Sequence, residues 1–146
     1  MKIINGFRGE SKWLSNFQSC SIQFEGAWYS SVEHAYVAAK TTDLLVRKKV
    51  RMIAAAGAAK RFGRKITLRP DWEEIKLTVM LLFLKQKFGD NNPELKQKLI
   101  ATGDIVLIEG NHWHDNFWGN CHCRGCRFEP KNNWLGKLLM SVRKEL

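Results

Sequence analysis

The segment Ser31 to Lys40, SVEHAYVAAK, places a carboxylate, a phenol and an amine at steps of three, four and seven residues. Wound as a helix, it sets Glu33, Tyr36, Val37 and Lys40 on one face. A carboxylate at Glu33, in the first turn, can serve a cleft as general acid, general base or stabiliser of an oxocarbenium ion. Lys40, two turns on, can hold a phosphate or, if desolvated, attack a sugar carbon as a free amine. The same pattern also describes an ordinary helix, with a Glu complementing the positive end of its dipole and a solvated Lys. Periodicity alone favours that plainer reading.

Three more clusters carry chemistry. In His114-Asp115-Asn116-Phe117-Trp118-Gly119-Asn120, Asp115 can orient a sugar hydroxyl while Trp118 stacks on a base; an Asx turn over core aromatics fits equally well. Asn16-Phe17 repeats the pairing of amide and ring, or is a loop anchored by Phe17. Cys121-His122-Cys123-Arg124-Gly125-Cys126 supplies three thiols, and His112, His114 or His122 can complete a tetrahedral zinc site. We take Cys121, Cys123, Cys126 and His112 as the ligand set, with reduced thiols in a compact loop as the alternative. Such a zinc is structural, and no cofactor is expected for the chemistry itself.

The elements that must position these residues read as follows. Ile22–Phe24 and Ala27–Tyr29 flank Glu25-Gly26, a hairpin turn. Ser30 or Ser31 caps a helix over about Val32 to Lys40; further helices cover about Leu44 to Ala55 and Gly57 to Phe62. Pro70 suits the first turn of the next helix, whose core stripe is Trp72, Ile75, Val79, Leu82 and Phe83. Pro93 opens a helix over Glu94 to Ala101, and Ile105–Ile108 is a short strand. Asn111 to Asn133 is a loop too long to be idle. A last helix starts near Trp134 with Leu135, Leu138, Leu139 and Val142 inward. The sum is an α+β fold, predominantly α-helical, one compact domain over residues 1–146 with a small antiparallel sheet.

Charge points to the partner. The net charge is +10, and from Asp43 to Asp71 no acidic residue intervenes while Arg47, Lys48, Lys49, Arg51, Lys60, Arg61, Arg64, Lys65 and Arg69 accumulate. Such a field draws phosphates and nucleic acids. No apolar run approaches the roughly 20 residues of a membrane span, and three crowded cysteines suit metal or free thiols better than a secreted disulfide framework. We expect a cytoplasmic monomer that does not engage membranes. Absence of GxGxxG, Walker and GxSxG motifs removes the common dinucleotide, nucleotide-hydrolysis and serine-hydrolase readings.

Taken in order, LSNF (Leu14 to Phe17), SSVEHAYVAAK (Ser30 to Lys40), the stretch Ala58 to Met80, Lys87 to Asp104, DNFWG (Asp115 to Gly119) and Asn133 to Leu146 resemble the NADAR family. The resemblance implies a mostly helical fold and cleavage of an N-glycosidic bond at ribose. It carries catalytic roles to Glu33, Lys40 and Asp115, with Lys40 matching a position able to form a Schiff base with opened ribose. Ligand contacts are implied for Asn16, Phe17, His34, Trp72, Trp118 and Gly119, and phosphate contacts for Arg61 and Arg64. Where the family's riboflavin-pathway glycosidase has an acidic residue after Trp-Gly, this chain has Asn120 and then the cysteine-rich insert. With the charge, that departure turns the expected substrate toward ADP-ribosylated guanine in nucleic acid, as in reversal of a toxin's modification. A glycosidase of phosphorylated ribosylamines of riboflavin biosynthesis and a non-catalytic module binding ADP-ribose or nucleic acid are the alternatives.

Overall fold

The structure, a computed structural model, describes residues 1–146. The chain groups into two compact units, one continuous (Asn16–Lys96) and one built from two stretches (Met1–Ser15 with Gln97–Leu146).

The continuous unit is organised round a central helix. Strands β2 (Ser19–Phe24) and β3 (Ala27–Ser31) form an antiparallel hairpin with Ile22 opposite Tyr29. Its turn residues, Glu25 and Gly26, have φ of 45° and 84°, the pair of positive angles a tight two-residue hairpin needs. Strand β3 runs into α1 (Val32–Ala39), and every residue of α1 is buried. Ser31 stops the strand and starts the helix: its Oγ accepts the His34 N–H at 3.1 Å. Helix α2 (Leu44–Met52) is capped by Asp43, which accepts from Leu45 and Val46. It ends earlier than the sequence suggested, at Ile53, whose backbone is extended. Helix α3 (Ala56–Gly63) lies close on α1, because a Cβ at Gly63 would stand 2.8 Å from a Val37 methyl.

Helix α4 (Trp72–Lys87) buries Trp72, Val79, Met80, Phe83 and Leu84, and Phe83 meets Phe24 edge-on at 5.3 Å. Two details differ from the sequence reading. Pro70 precedes the helix, which begins after Asp71, and Leu82, expected in the core stripe, is 54% exposed. Arg47, counted with the basic run, is buried: its Nε donates to the Ala38 and Thr41 carbonyls and its guanidinium pairs with Glu25. It therefore ties α2 to the end of α1 and adds nothing to the surface field.

The second unit is held by two parallel ladders. Strand β1 (Ile3–Asn5) pairs with β4 (Val106–Ile108), and β5 (Gly110–Asn111) with β6 (Asn120–Cys121). The single antiparallel sheet expected from sequence is thus one of three two-stranded ladders, and the other two run parallel. Helix α5 (Pro93–Ala101) leads into this unit, and α6 (Trp134–Lys144) packs on β4 with Leu135, Leu139 and Val142 buried, Leu138 half-buried. Asn133, in the left-handed region at φ 45°, links α6 to the strand: its Oδ1 accepts from Glu109 N–H and its Nδ2 donates to the Leu107 carbonyl, both at 2.9 Å.

Candidate functional site

In the continuous unit, α1 gathers a carboxylate, a phenol and an amine at one place. Glu33 is 8% exposed at the start of α1, and its backbone N–H donates to the Asn16 carbonyl at 3.1 Å. The Asn16 side chain enters the same neighbourhood. Its Nδ2 reaches the Met80 sulfur at 3.7 Å, while its Oδ1 is buried with no hydrogen-bond partner. A buried unpaired carbonyl oxygen is costly to leave without a donor.

Lys40 closes the helix, its ammonium 5.4 Å from the Tyr36 ring centre. Burial lowers its pKa below the usual lysine range; Glu33 works against that, while Lys60, Arg64 and Lys76 reinforce it. The amine thus sits in a desolvated, cation-crowded position, the condition under which a lysine becomes nucleophilic. Trp72 is 4% exposed and meets Tyr36 edge-on at 5.0 Å. Its indole holds the Tyr36 ring and has little face left for a stacked base. Phe17 offers an accessible aromatic surface, 45% exposed, with the Lys60 ammonium 5.8 Å from its ring. Gly57 brings α3 close to the Phe17 ring, and Arg61 and Arg64 of that segment are both exposed. The structure therefore brings Asn16, Phe17, Glu33, Lys40, Arg61, Arg64 and Trp72 into one unit, together with Tyr36 and Lys60.

His34, expected to contact ligand, is instead engaged by the protein itself. It is 2% exposed; its Nε2 lies 2.8 Å from the Ile53 carbonyl and its Nδ1 2.6 Å from Ser31 Oγ. A carbonyl only accepts, so Nε2 carries the proton and Nδ1 accepts from the serine. Both ring nitrogens are spent inside the fold, locking the α1 cap to the end of α2.

The second unit carries the other expected residues. Asp115 Oδ1 accepts from the Phe117 and Trp118 N–H groups at 3.1 and 2.9 Å, which makes the Asx turn that the composition allowed. Trp118 is half-buried, edge-on to Phe117 at 4.9 Å. Gly119 is fixed by packing, since a Cβ there would strike the Glu109 carbonyl. Sequence reasoning missed the hub of this loop, Asn111. Fully buried, it accepts from the Trp113 and Asp115 N–H groups and donates to the Asp115 carbonyl. The only available signal was its place at the start of the long loop that follows the Ile105–Ile108 strand. Asn120 Oδ1 is buried without a partner.

Cys121, Cys123 and Cys126 converge as expected, but His114, not His112, stands with them. His112 faces the His122 ring at 6.2 Å, and His122 Nε2 meets Asn5 at 3.0 Å. Burial opposes ionisation of the Cys121 thiol, yet hydrogen bonds to its sulfur from Cys123 and His114 bring it down to about 7. Burial, with the neighbouring sulfurs, pushes Cys126 up to about 11.

Comparison with known proteins gives a coherent result. The NADAR domain family matches residues 6–146. Riboflavin biosynthesis protein VVA0006 of Vibrio vulnificus is 39% identical over 136 residues, covering 92% of this chain; the chain spans only 35% of that protein's length. N-glycosidase YbiA of Escherichia coli is 34% identical over 135 residues, 91% of this chain and 80% of that protein. The solution structure of E. coli YbiA superposes with a TM-score of 0.82 at 32% identity, covering 99% of this chain and 84% of that one.

Proposed function

The chain belongs to the NADAR family and is an N-glycosidase, and from that premise we propose that it removes ADP-ribose from ADP-ribosylated guanine in nucleic acid. The observation that carries the reading is the half-buried Lys40 amine at the end of the helix whose first turn carries Glu33, its pKa lowered by burial and by the charges of Lys60, Arg64 and Lys76.

In the proposed reaction the bond between the ribose anomeric carbon and the base nitrogen breaks. Its electron pair leaves with the base, and positive charge develops on the sugar. The Glu33 carboxylate faces that charge and stabilises it. Either water or the neutral Lys40 amine then bonds to the anomeric carbon; with the amine, a Schiff base to opened ribose follows and water releases it. Tyr36, held by Trp72, fixes the approach, and Asn16 Oδ1 accepts a hydrogen bond from a substrate hydroxyl or amine. Arg61 and Arg64 suit the pyrophosphate, and Phe17 offers the base a face. Asp115 is occupied by the turn of its own unit, and no step requires it.

The net charge of +10 supports a polyanionic substrate over a small one. The name of the Vibrio relative favours a second reading, cleavage of a phosphorylated ribosylamine. Release of ADP-ribose from modified guanine DNA, followed by mass spectrometry across a salt series, separates the two. A nucleic-acid substrate gives release that falls steeply with salt, because several counterions leave together. Intact modified DNA at every salt concentration, alongside cleavage of a ribosylamine phosphate, decides for the second.

A further inference from the structure

We infer that His114, Cys121, Cys123 and Cys126 form a structural zinc site. The four ligand atoms lie within 4.8 Å of one another, and His114 Nδ1 is 3.3 Å from both the Cys123 and Cys126 sulfurs. A tetrahedral zinc with Zn–S of about 2.3 Å and Zn–N of about 2.0 Å demands N···S edges of roughly 3.5 Å and S···S edges of roughly 3.8 Å. The two His–Cys edges already stand within a few tenths of an ångström of that geometry. Four groups from four positions converge on one point, which a disulfide, joining two, does not require.

The backbone is arranged to hold them there. Strand β6 delivers Cys121, and the short 3-10 turn Arg124–Cys126 delivers Cys126, its N–H bonded to the Cys123 carbonyl at 3.2 Å. His114 adopts φ 71°, uncommon for a residue with a side chain, and lies between Trp113 and Asp115, whose N–H groups both donate to Asn111. That clamp aims the imidazole at the sulfurs. The N–H groups of His114 and Cys123 point at the Cys121 sulfur at 3.3 and 3.5 Å, as outer donors do in metal–thiolate sites.

The donor set fits zinc. Thiolates and a neutral imidazole are soft to borderline ligands and select zinc over magnesium or calcium. Binding replaces each S–H bond by an S–Zn bond and sends the proton to solvent. Three thiolates around one dication leave a net charge of −1. Arg124 and Arg127 lie in the same loop, and the Lys131 ammonium donates to the Cys126 carbonyl at 2.7 Å. With four protein ligands no position remains for a reacting water, so the ion staples the loop between β5 and α6 and takes no part in the glycosidase chemistry.

The test uses the whole 146-residue chain, reduced and loaded with zinc or cobalt(II). Native mass spectrometry should show one zinc per chain, and the cobalt form should display the intense visible bands of a tetrahedral thiolate site. His114→Ala should weaken zinc binding by about tenfold or more, whereas His112→Ala and His122→Ala should leave it nearly unchanged. If His114→Ala fails to fold, the cobalt spectrum and a chelator-induced fall in the melting temperature of the unaltered chain still decide. No retained metal and no tetrahedral cobalt spectrum, or a loss of binding on His112→Ala with none on His114→Ala, overturns the assignment. The glycosidase reading stands independently of either result.

Discussion

Replacing Ser31 with Ala tests whether the start of α1 is held as described. Two interactions are lost at once. The first is the N-cap bond from His34 N–H, for which such substitutions cost about 1 kcal/mol. The second is the 2.6 Å bond to His34 Nδ1, which leaves a buried acceptor unpaired at about 1–3 kcal/mol. The sum is about 2–4 kcal/mol. Ser30 Oγ, 3.4 Å from the same nitrogen, can swing in as a poorer replacement and draws the expectation toward the lower end. The assay is urea unfolding at constant m-value, with His34→Ala and the double variant completing a cycle. Because the two residues share one bond, the double variant should lose less than the two singles added together, by about 1 kcal/mol. A Ser31→Ala midpoint within about 0.5 kcal/mol of the parent, or strict additivity, refutes the shared bond and the tautomer drawn from it.

Three further outcomes are expected. Glu33→Gln should lower kcat by about 10²- to 10⁴-fold with the circular dichroism spectrum unchanged; a loss under threefold removes Glu33 from the chemistry. Lys40 has its pKa lowered by burial and neighbouring cations, so its ammonium destabilises the fold at neutral pH, and that penalty fades as pH rises toward the ordinary value of 10.5. Lys40→Met should therefore raise the urea midpoint at pH 7, lose the advantage in alkali, and abolish turnover if the amine attacks the sugar; a variant less stable at pH 7 contradicts the burial argument. Gly63→Ala sets about 1 kcal/mol of helix propensity against a 2.8 Å approach to Val37, and overpacking of about 1–3 kcal/mol should win. Combined with Val37→Ala the sign should reverse, which thermal melts will show.

What the sequence conveyed was local. Ser31 announces its helix because a cap is a matter of a few residues, and Glu25-Gly26 announces the hairpin because its turn demands positive φ. The face carrying Glu33, Tyr36 and Lys40 followed from helical spacing alone. What it did not convey depends on distant partners. Ile3–Asn5 carries no sign that it will lie parallel to Val106–Ile108, and three-residue strands have too short a period to read. Arg47 looked like its basic neighbours until Ala38, Thr41 and Glu25 claimed its donors. The choice of His114 over His112 rests on one left-handed residue whose two neighbours are held by Asn111, a conformation that spacing does not encode. The two orphaned amide oxygens, Asn16 and Asn120, are visible only when the burial of each atom is known.

The parallel pairing of β1 with β4 also bears on how the protein is made. The unit Asn16–Lys96 is one uninterrupted stretch, free to condense while the ribosome is still adding the rest of the chain. The other unit includes Ile3–Asn5, which is synthesised before Asn16–Lys96 yet stays unpaired until Val106–Ile108 follows. An exposed strand edge therefore persists while the continuous unit is being synthesised, and disrupting Ile3–Asn5 should disturb the unit that is completed after it.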